Sequence, residues 1–322
     1  MSGFPQVWPM AGMPERVSVY EVGPRDGLQA EPKIVDTATK IEFIHRLAAC
    51  GLRTIEATSF VSPARVPQLA DAAEVLAGID PAALRHPVLV PNRRGLERAL
   101  AAGAREIAVF VSATERFARE NLGTGLDGAI ELAAPVVGEA LAAGLRVRGY
   151  VSMCFGDPWE GPVRPDAVAG VVARLADLGV QRFSLGDTIG VGTAGQVAAV
   201  LAAVDRTGVG RDRIALHFHD TYGQALANVL AGLTEGITEF DASAGGLGGC
   251  PFAKSATGNL ATEDLVWLLH GLGIETGVEL TALARVSQWL GERMGRRPTS
   301  RVVTALTSAA DPANDAGNHA DG

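Results

Sequence analysis

The sequence predicts an α/β fold in which eight parallel strands close into a (β/α)8 TIM barrel, followed by extra C-terminal helices. Three observations predict it. β-Branched runs alternate with amphipathic runs from residue 17 to residue 243. Strand starts near residues 17, 52, 85, 106, 146, 181, 213 and 237 lie about 31 residues apart, the size of one βα unit. No Gly-rich phosphate turn follows the first strand, as it would in an open dinucleotide-binding sheet. A length of 322 residues suits one such barrel.

The elements follow in order. Residues 1–16 form a short arm rich in Pro and Met. Residues 17–22 read as a strand that runs into a polar loop carrying Arg25 and Asp26. Thr37 precedes a helix whose Ile41, Ile44, Leu47 and Ala48 recur at helical spacing and whose stop is Gly51. Strands are then expected at 52–60, 86–92, 106–113, 146–153, 181–188, 213–220 and 237–243. Helices are expected near 66–78, 94–102, 128–143, 165–178, 194–205 and 223–234, with Gly, Pro and Asn at the joints. Two further helices, 262–273 and 278–295, must cover something: a lid, the barrel bottom or a dimer surface. The division expected is an arm at 1–16, one barrel domain with its C-terminal helices at 17–300, and a mostly disordered tail at 301–322, where 311–322 is rich in Asp, Ala, Asn and Gly and has no apolar anchor.

Composition excludes several function classes. A net charge of −8 disfavours nucleic acid and anionic membrane as partners, since both need concentrated Lys and Arg. Cys50, Cys154 and Cys250 are odd in number, far apart and without a CxxC pair, which suits a reducing cytosol and no thiolate zinc site. Residues 1–14 show neither a secretory nor an import pattern, and the apolar tracts are broken by charge, so a cytoplasmic, soluble protein is expected.

In a parallel barrel the C-terminal strand ends form one rim, where polar residues distant in sequence converge. Arg25, Asp26, Glu56, Asn92, Ser112, Asp187, His217 and His219 all fall there. A charge within a strand covered on both faces is costly unless it is paired or ligating. His217 and His219, two apart on a strand, share a face, and with a carboxylate they supply three ligands to a divalent ion; the alternative is a pair of hydrogen-bonded core histidines. Imidazoles suit zinc, but Asp and amide oxygens shift preference towards Mg2+ or Mn2+. Asn259 is the candidate amide, or else the N-cap of the helix that follows it. Cys250 ends the stretch ASAGGLGG, either as a reactive group on a lid or as a small apolar residue docking the loop.

Residues 21–29, 55–71, 148–156, 184–193, 217–228, 245–264 and 271–278 together resemble 3-hydroxy-3-methylglutaryl-CoA lyases. GGLGGCP is the lyase family's own signature, whereas RDG and HxHD occur across related metal-dependent aldolases, lyases and Claisen-condensing enzymes. The resemblance covers roughly residues 17–300. It implies Asp26, His217, His219 and Asn259 as ligands of Mg2+ or Mn2+, with Arg25, Glu56 and Cys250 completing the catalytic group. It further implies cleavage of 3-hydroxy-3-methylglutaryl-CoA to acetyl-CoA and acetoacetate, an acyl-CoA substrate as partner, and a homodimer or higher homo-oligomer. Such a retro-Claisen step needs the C3 hydroxyl deprotonated by Asp26 or His217. Arg25 would stabilise the thioester enolate oxygen, Cys250 would protonate the enolate, and Glu56 would orient Arg25 or a ligand. Since no cysteine follows Cys250, no C-terminal thiol switch is expected. The competing readings are a lyase for a longer acyl chain such as the isohexenyl analogue, a condensing acyl-CoA/2-oxo acid transferase, and a non-catalytic metal-binding barrel.

Overall fold

The computed structural model describes residues 5–80, 84–250 and 253–308, without the side chains of 250 and 253–257. The barrel strands are β1 (Ser18–Glu21), β2 (Thr54–Ile55), β3 (Thr58–Ser59), β4 (Val88–Leu89), β5 (Glu106–Ser112), β6 (Arg146–Ser152), β9 (Arg182–Asp187), β10 (Ile214–Phe218) and β11 (Glu239–Ala242). Between β6 and β9 lies a short hairpin, β7 (Gly156–Asp157) with β8 (Gly161–Pro162), and after β11 a second one, β12 (Gly249–Cys250) with β13 (Ala253–Thr257). All barrel pairs are parallel, in the order β2-β1-β11-β10-β9-β6-β5-β4-β3.

That order closes the barrel, because β2 and β3 are two halves of one segment. The segment predicted as a single strand over 52–60 is interrupted at Glu56 and Ala57. The Glu56 N–H donates to Glu21 O (2.8 Å) on one side and the Ala57 N–H to Pro87 O (2.9 Å) on the other. The second strand therefore bonds β1 through Glu56 and the segment leading into β4 through Ile55 (Ile55 N to Arg85 O, 3.0 Å) and Ala57, and the seam with β1 runs through a residue singled out from the sequence.

The helices are α1 (Thr37–Ala49), α2 (Ala72–Ala77), α3 (Arg93–Ala101), α4 (Glu115–Leu122), α5 (Leu126–Ala142), α6 (Pro165–Asp177), α7 (Ala194–Asp205), α8 (Ala225–Thr234), α9 (Thr262–Gly271), α10 (Leu280–Met294) and α11 (Arg301–Ser308). In α1, Asp36 caps the start by accepting from Thr39 N at 2.9 Å, and Phe43, Ile44 and Leu47 are buried. Burying each such side chain contributes roughly 1.5–3 kcal/mol. Gly51 ends the unit at φ +99°, where a Cβ would meet Gly277 O at 2.0 Å. α9 stands where the eighth helix of the barrel belongs, and α10 packs across α1, α9 and the short turn Ala244–Gly246.

Three local expectations need correction. The helix at 66–78 is a 3-10 turn, Pro67–Leu69, followed by the shorter α2. α4 lies in a stretch read as loop. Residues 301–308, placed in the disordered tail, form α11: the Asp264 carboxylate accepts from Ser300 Oγ (2.6 Å) and Val302 N (3.0 Å), and Val303 is buried. The remainder of that tail, 309–322, is outside the described residues.

Alternation along the strands sorts the two faces. Val19, Ile55, Ile107, Val109, Val147, Val151, Phe183, Leu185, Leu216 and Phe240 join one continuous apolar cluster with the helices. Tyr20, Arg148, Tyr150, Ser184, His217, Glu239 and Asp241, equally buried, occupy the alternate positions inside the barrel, where Arg148 bonds Glu239 and Asp241 and lies over the Tyr20 and Tyr150 rings, and Asp241 bonds Ser184 and His217.

Candidate active site

Arg25 and Asp26 sit in one tight helical turn, Gly23–Gly27, that caps the C-terminal end of β1; Asp26 N and Gly27 N both donate to Val22 O (2.8 and 3.1 Å). Gly27 is required by close approach, since a Cβ there would lie 2.7 Å from Ser243 Oγ and 2.8 Å from Leu247 Cβ. The buried Arg25 donates from Nε to Glu56 Oε2 at 2.7 Å and from Nη1 to Asp26 Oδ1 at 2.6 Å. Tyr150 OH donates to the same Glu56 oxygen at 3.1 Å, and the guanidinium lies 5.5 Å from the Tyr150 ring centroid. The fork is thereby held by two carboxylates and a ring. Burial raises the Glu56 carboxyl above its ordinary range even against Arg25.

His217 and His219 project from the end of β10 with ring centroids 5.3 Å apart. Behind His217, Asp241 Oδ2 stands 3.2 Å from Nδ1; Asp241 also accepts from Ser184 Oγ (2.7 Å) and from Arg148. Such a carboxylate fixes the ring and its tautomer, leaving Nε2 for a ligand. Burial opposes charge on His217, but the bond to Asp241 wins and its pKa is raised. His219, with no carboxylate bonded to it among the described residues, is pushed down to about 3 by burial and then by His217, so it is neutral at physiological pH. Burial also works against ionised Asp26, yet Arg25, both histidines and the Asn259 amide hold its carboxyl well below the usual range.

One ligand atom from each of Asp26, His217 and His219 lies within 4.8 Å of the others. Asn259 joins them: its Nδ2 donates to Asp26 Oδ2 at 2.7 Å and to Leu247 O at 3.1 Å, and its backbone bridges to His219. It does not cap α9, whose N-cap position is Ala261. Asn259 Oδ1 and His219 Nδ1 are buried without a hydrogen-bond partner among the described residues. A buried acceptor left bare costs about 1–3 kcal/mol, so two of them beside an ionised carboxylate and a neutral imidazole fit a divalent cation.

Other residues expected at the rim hold loops instead. Asn92 caps α3 by accepting from Gly95 N (2.9 Å), Ser112 accepts from Thr114 N (3.0 Å), and Asp187 accepts from Val191 N (3.0 Å) and Gly192 N (2.9 Å). The Cys250 backbone pairs with Ala253 in the hairpin after β11, and its side chain is outside the described residues. Tyr150 and Asp241 were not among the expected site residues. The signal was present: Arg148 and Tyr150 on β6, and Glu239 and Asp241 on β11, are polar pairs two apart within strands, the spacing that singled out the histidines.

A closed parallel barrel with a cationic fork and a mixed carboxylate, imidazole and amide donor set on its C-terminal rim belongs to the class of barrel proteins with an enzyme-type site that could hold a divalent cation. The family model described as HMGL-like matches residues 16–290. The mitochondrial hydroxymethylglutaryl-CoA lyase of Bos taurus is 49% identical over 91% of this chain and 90% of its own length. That of Arabidopsis thaliana is 49% identical over 92% of this chain, which spans 63% of the plant protein. Among solved structures, hydroxymethylglutaryl-CoA lyase from Pseudomonas aeruginosa superposes with a TM-score of 0.90 at 47% identity, covering 92% of this chain and 99% of that one. An HMG-CoA lyase from Acinetobacter baumannii, solved with coenzyme A and 3-methylmalate, gives 0.86 at 36% identity, covering 92% and 97%. The chain belongs to the HMGL-like family.

Proposed function

We propose that this protein is a hydroxymethylglutaryl-CoA lyase, a carbon–carbon lyase that cleaves 3-hydroxy-3-methylglutaryl-CoA to acetyl-CoA and acetoacetate. The observation that carries the reading is the Arg25 fork, locked by Glu56 and Asp26, beside the donor set of Asp26, His217, His219 and Asn259. Those four residues would hold Mg2+ or Mn2+, which when bound supplies Lewis acidity to the substrate's C3 hydroxyl. The proton of the C3 hydroxyl passes to Asp26 or His217, while Asp241, 3.2 Å from His217 Nδ1, holds that ring in place. Arg25 faces the thioester oxygen and stabilises negative charge as the C2–C3 bond breaks, its orientation fixed beforehand by Glu56. Cys250, at the end of the glycine loop, returns a proton to the acetyl-CoA enolate. Tyr150 supports Glu56 and excludes water from the Arg25–Glu56 pair. The enzyme works as a cytoplasmic homo-oligomer in this reading; among the described residues no helix is long and apolar enough to cross a membrane.

The test is incubation of purified protein with 3-hydroxy-3-methylglutaryl-CoA and Mg2+, with acetoacetate measured and with EDTA and Arg25→Gln as controls. Metal-dependent acetoacetate is expected, and its absence overturns the assignment. Parallel assays with the isohexenyl analogue, and with acetyl-CoA plus a 2-oxo acid, separate the longer-chain lyase and the condensing reaction.

A further inference from the structure

Glu21 ends β1 with a carboxylate that is 0% exposed. Among the described residues its bonds are all to neutral donors, one from each of three segments. Gly23 N, in the turn that presents Arg25 and Asp26, donates to Oε1 at 2.8 Å. Ala244 N, where the glycine loop leaves β11, donates to the same oxygen at 2.9 Å. Thr262 Oγ1, at the start of α9 and three residues after Asn259, donates to Oε2 at 2.6 Å. The segments are in direct contact: a Cβ on Gly23 would lie 2.6 Å from Glu21 Oε1 and 3.4 Å from Ala244 N.

On its other side the base of the glycine loop is fixed to the C-terminal helices. Gly245 N donates to Glu263 (2.9 Å to Oε2), Glu263 also accepts from Ser287 Oγ, and Thr299 N donates to Gly245 O at 2.9 Å. Gly245 and Gly246 both sit at φ +66°, conformations open to glycine. The loop base is thus held to the C-terminal helices, and Glu21 is the buried side chain that bonds it to the Asp26 turn, beside the β1–β11 pairing and the packing of Gly27 on Leu247. A second tie runs from Asn259 Nδ2 to Leu247 O at 3.1 Å.

We propose that Glu21 is a positioning residue that couples the Asp26 turn to the loop carrying Cys250, so that a cation seated at Asp26 sets the position of that loop. The proposal rests on Asp26 being a cation ligand, as read above, but not on the identity of the substrate. Glu21 touches no reacting group; it transmits position through two peptide N–H groups and one hydroxyl.

The test reads the loop directly. Full-length protein is treated with iodoacetamide, with and without saturating Mn2+, and alkylation of the Cys250 peptide is followed by mass; Cys50 and Cys154 are buried and are scored separately. Mn2+ affinity is measured by electron paramagnetic resonance on the same samples. In wild type, Mn2+ is expected to change the Cys250 alkylation rate by at least about fivefold, the lower end of the range for coupled sites. Glu21→Ala should lower that ratio by more than about twofold, the tie from Asn259 to Leu247 keeping part of it, while Glu21→Gln, which keeps the acceptor oxygen for both N–H groups, should stay within about twofold of wild type. A ratio of one in wild type, or a wild-type ratio in a folded Glu21→Ala, overturns the proposal, whatever the change in melting temperature. If Glu21→Ala does not fold, Thr262→Val decides: a reduced ratio supports the coupling and an unchanged ratio removes it. Neither readout uses acyl-CoA, so failure of the cleavage assay leaves the coupling to stand or fall separately.

Discussion

The two faces of the barrel sheet are buried alike but held together by different physics. Outside, Val109, Phe183, Leu216 and Phe240 meet the helices in a continuous apolar layer, where area removed from water supplies the stability and shape can be traded between neighbours. Inside, Arg148 lies between Glu239 and Asp241 with its guanidinium 3.9 Å from the Tyr20 ring centroid, and every favourable contact depends on a specific partner. The lesson is that the apolar face makes the barrel while the polar face aims it: Asp241, bonded to Arg148, is also what orients His217.

Removing Arg148 should break that contrast most severely. Arg148→Met leaves the buried Asp241 without its arginine and Glu239 with Arg182 alone, and is expected to cost about 3–5 kcal/mol, with Arg148→Lys failing to restore it because a point charge cannot serve both carboxylates; urea denaturation of both variants measures this. Arg25→Gln should lower kcat by about 10^3, close to 4 kcal/mol of transition-state stabilisation, with Mn2+ affinity largely kept; steady-state acetoacetate production checks the first and a metal titration the second. On the outer face, Leu216→Ala should cost about 2–5 kcal/mol whereas Leu216→Met should cost under about 1.5, and kcat per folded molecule should hold in both. Equal tolerance to Arg148→Lys and Leu216→Met would erase the distinction between the faces.

Smaller effects sharpen it. Asp241→Asn should weaken Mn2+ binding about 10–100-fold, read by calorimetry, because His217 loses the carboxylate behind Nδ1. The least visible effect is on pH dependence. Burial raises Glu21 to about 7 and Glu263 to about 8. Each therefore binds its proton more tightly folded than unfolded, so their contribution to stability is greatest below the unfolded carboxylate pKa and declines as pH rises through the folded values. The melting temperature should fall between pH 5 and about 8, and Glu263→Gln should flatten that fall; an unaltered slope would show that Glu263 does not titrate on unfolding.

Much of this was legible in the sequence, and the reason is periodicity. Strands β5, β6, β9 and β10 and helices α5, α6 and α7 carry long apolar repeats, and the prediction of each agrees with the structure to within a few residues. α4 escaped because ERFARENL buries only Phe117 and Ala118, too little to mark a face. α11 escaped because Asp264, 36 residues before Ser300, anchors its start, and no local pattern records a bond of that range. In the site, Arg25, Asp26, His217 and His219 stood out as charged or ligating residues at strand ends, and the fold brings them together. Asn92, Ser112 and Asp187 stood out by the same rule, yet their acceptors are taken up by nearby backbone N–H groups, a distinction that depends on loop geometry. Tyr150 and Asp241 are harder to read because polar pairs two apart, Arg148 with Tyr150 and Glu239 with Asp241, resemble a solvent-facing strand face until the strand is known to line a closed interior.

The interruption of the second strand has a consequence for diagnosing damaged variants. Glu56, whose backbone N–H meets Glu21 O at the seam of the barrel, also grips Arg25 with its carboxylate. A substitution that lets the seam part would withdraw the grip on Arg25 without touching any group that meets substrate, and an activity assay alone would misclassify a closure defect as a chemical one. Amide exchange tells them apart: faster exchange at Glu56, with Ile55 and Ala57, whose N–H groups bond Arg85 O and Pro87 O on the other side, still protected, marks the parted seam.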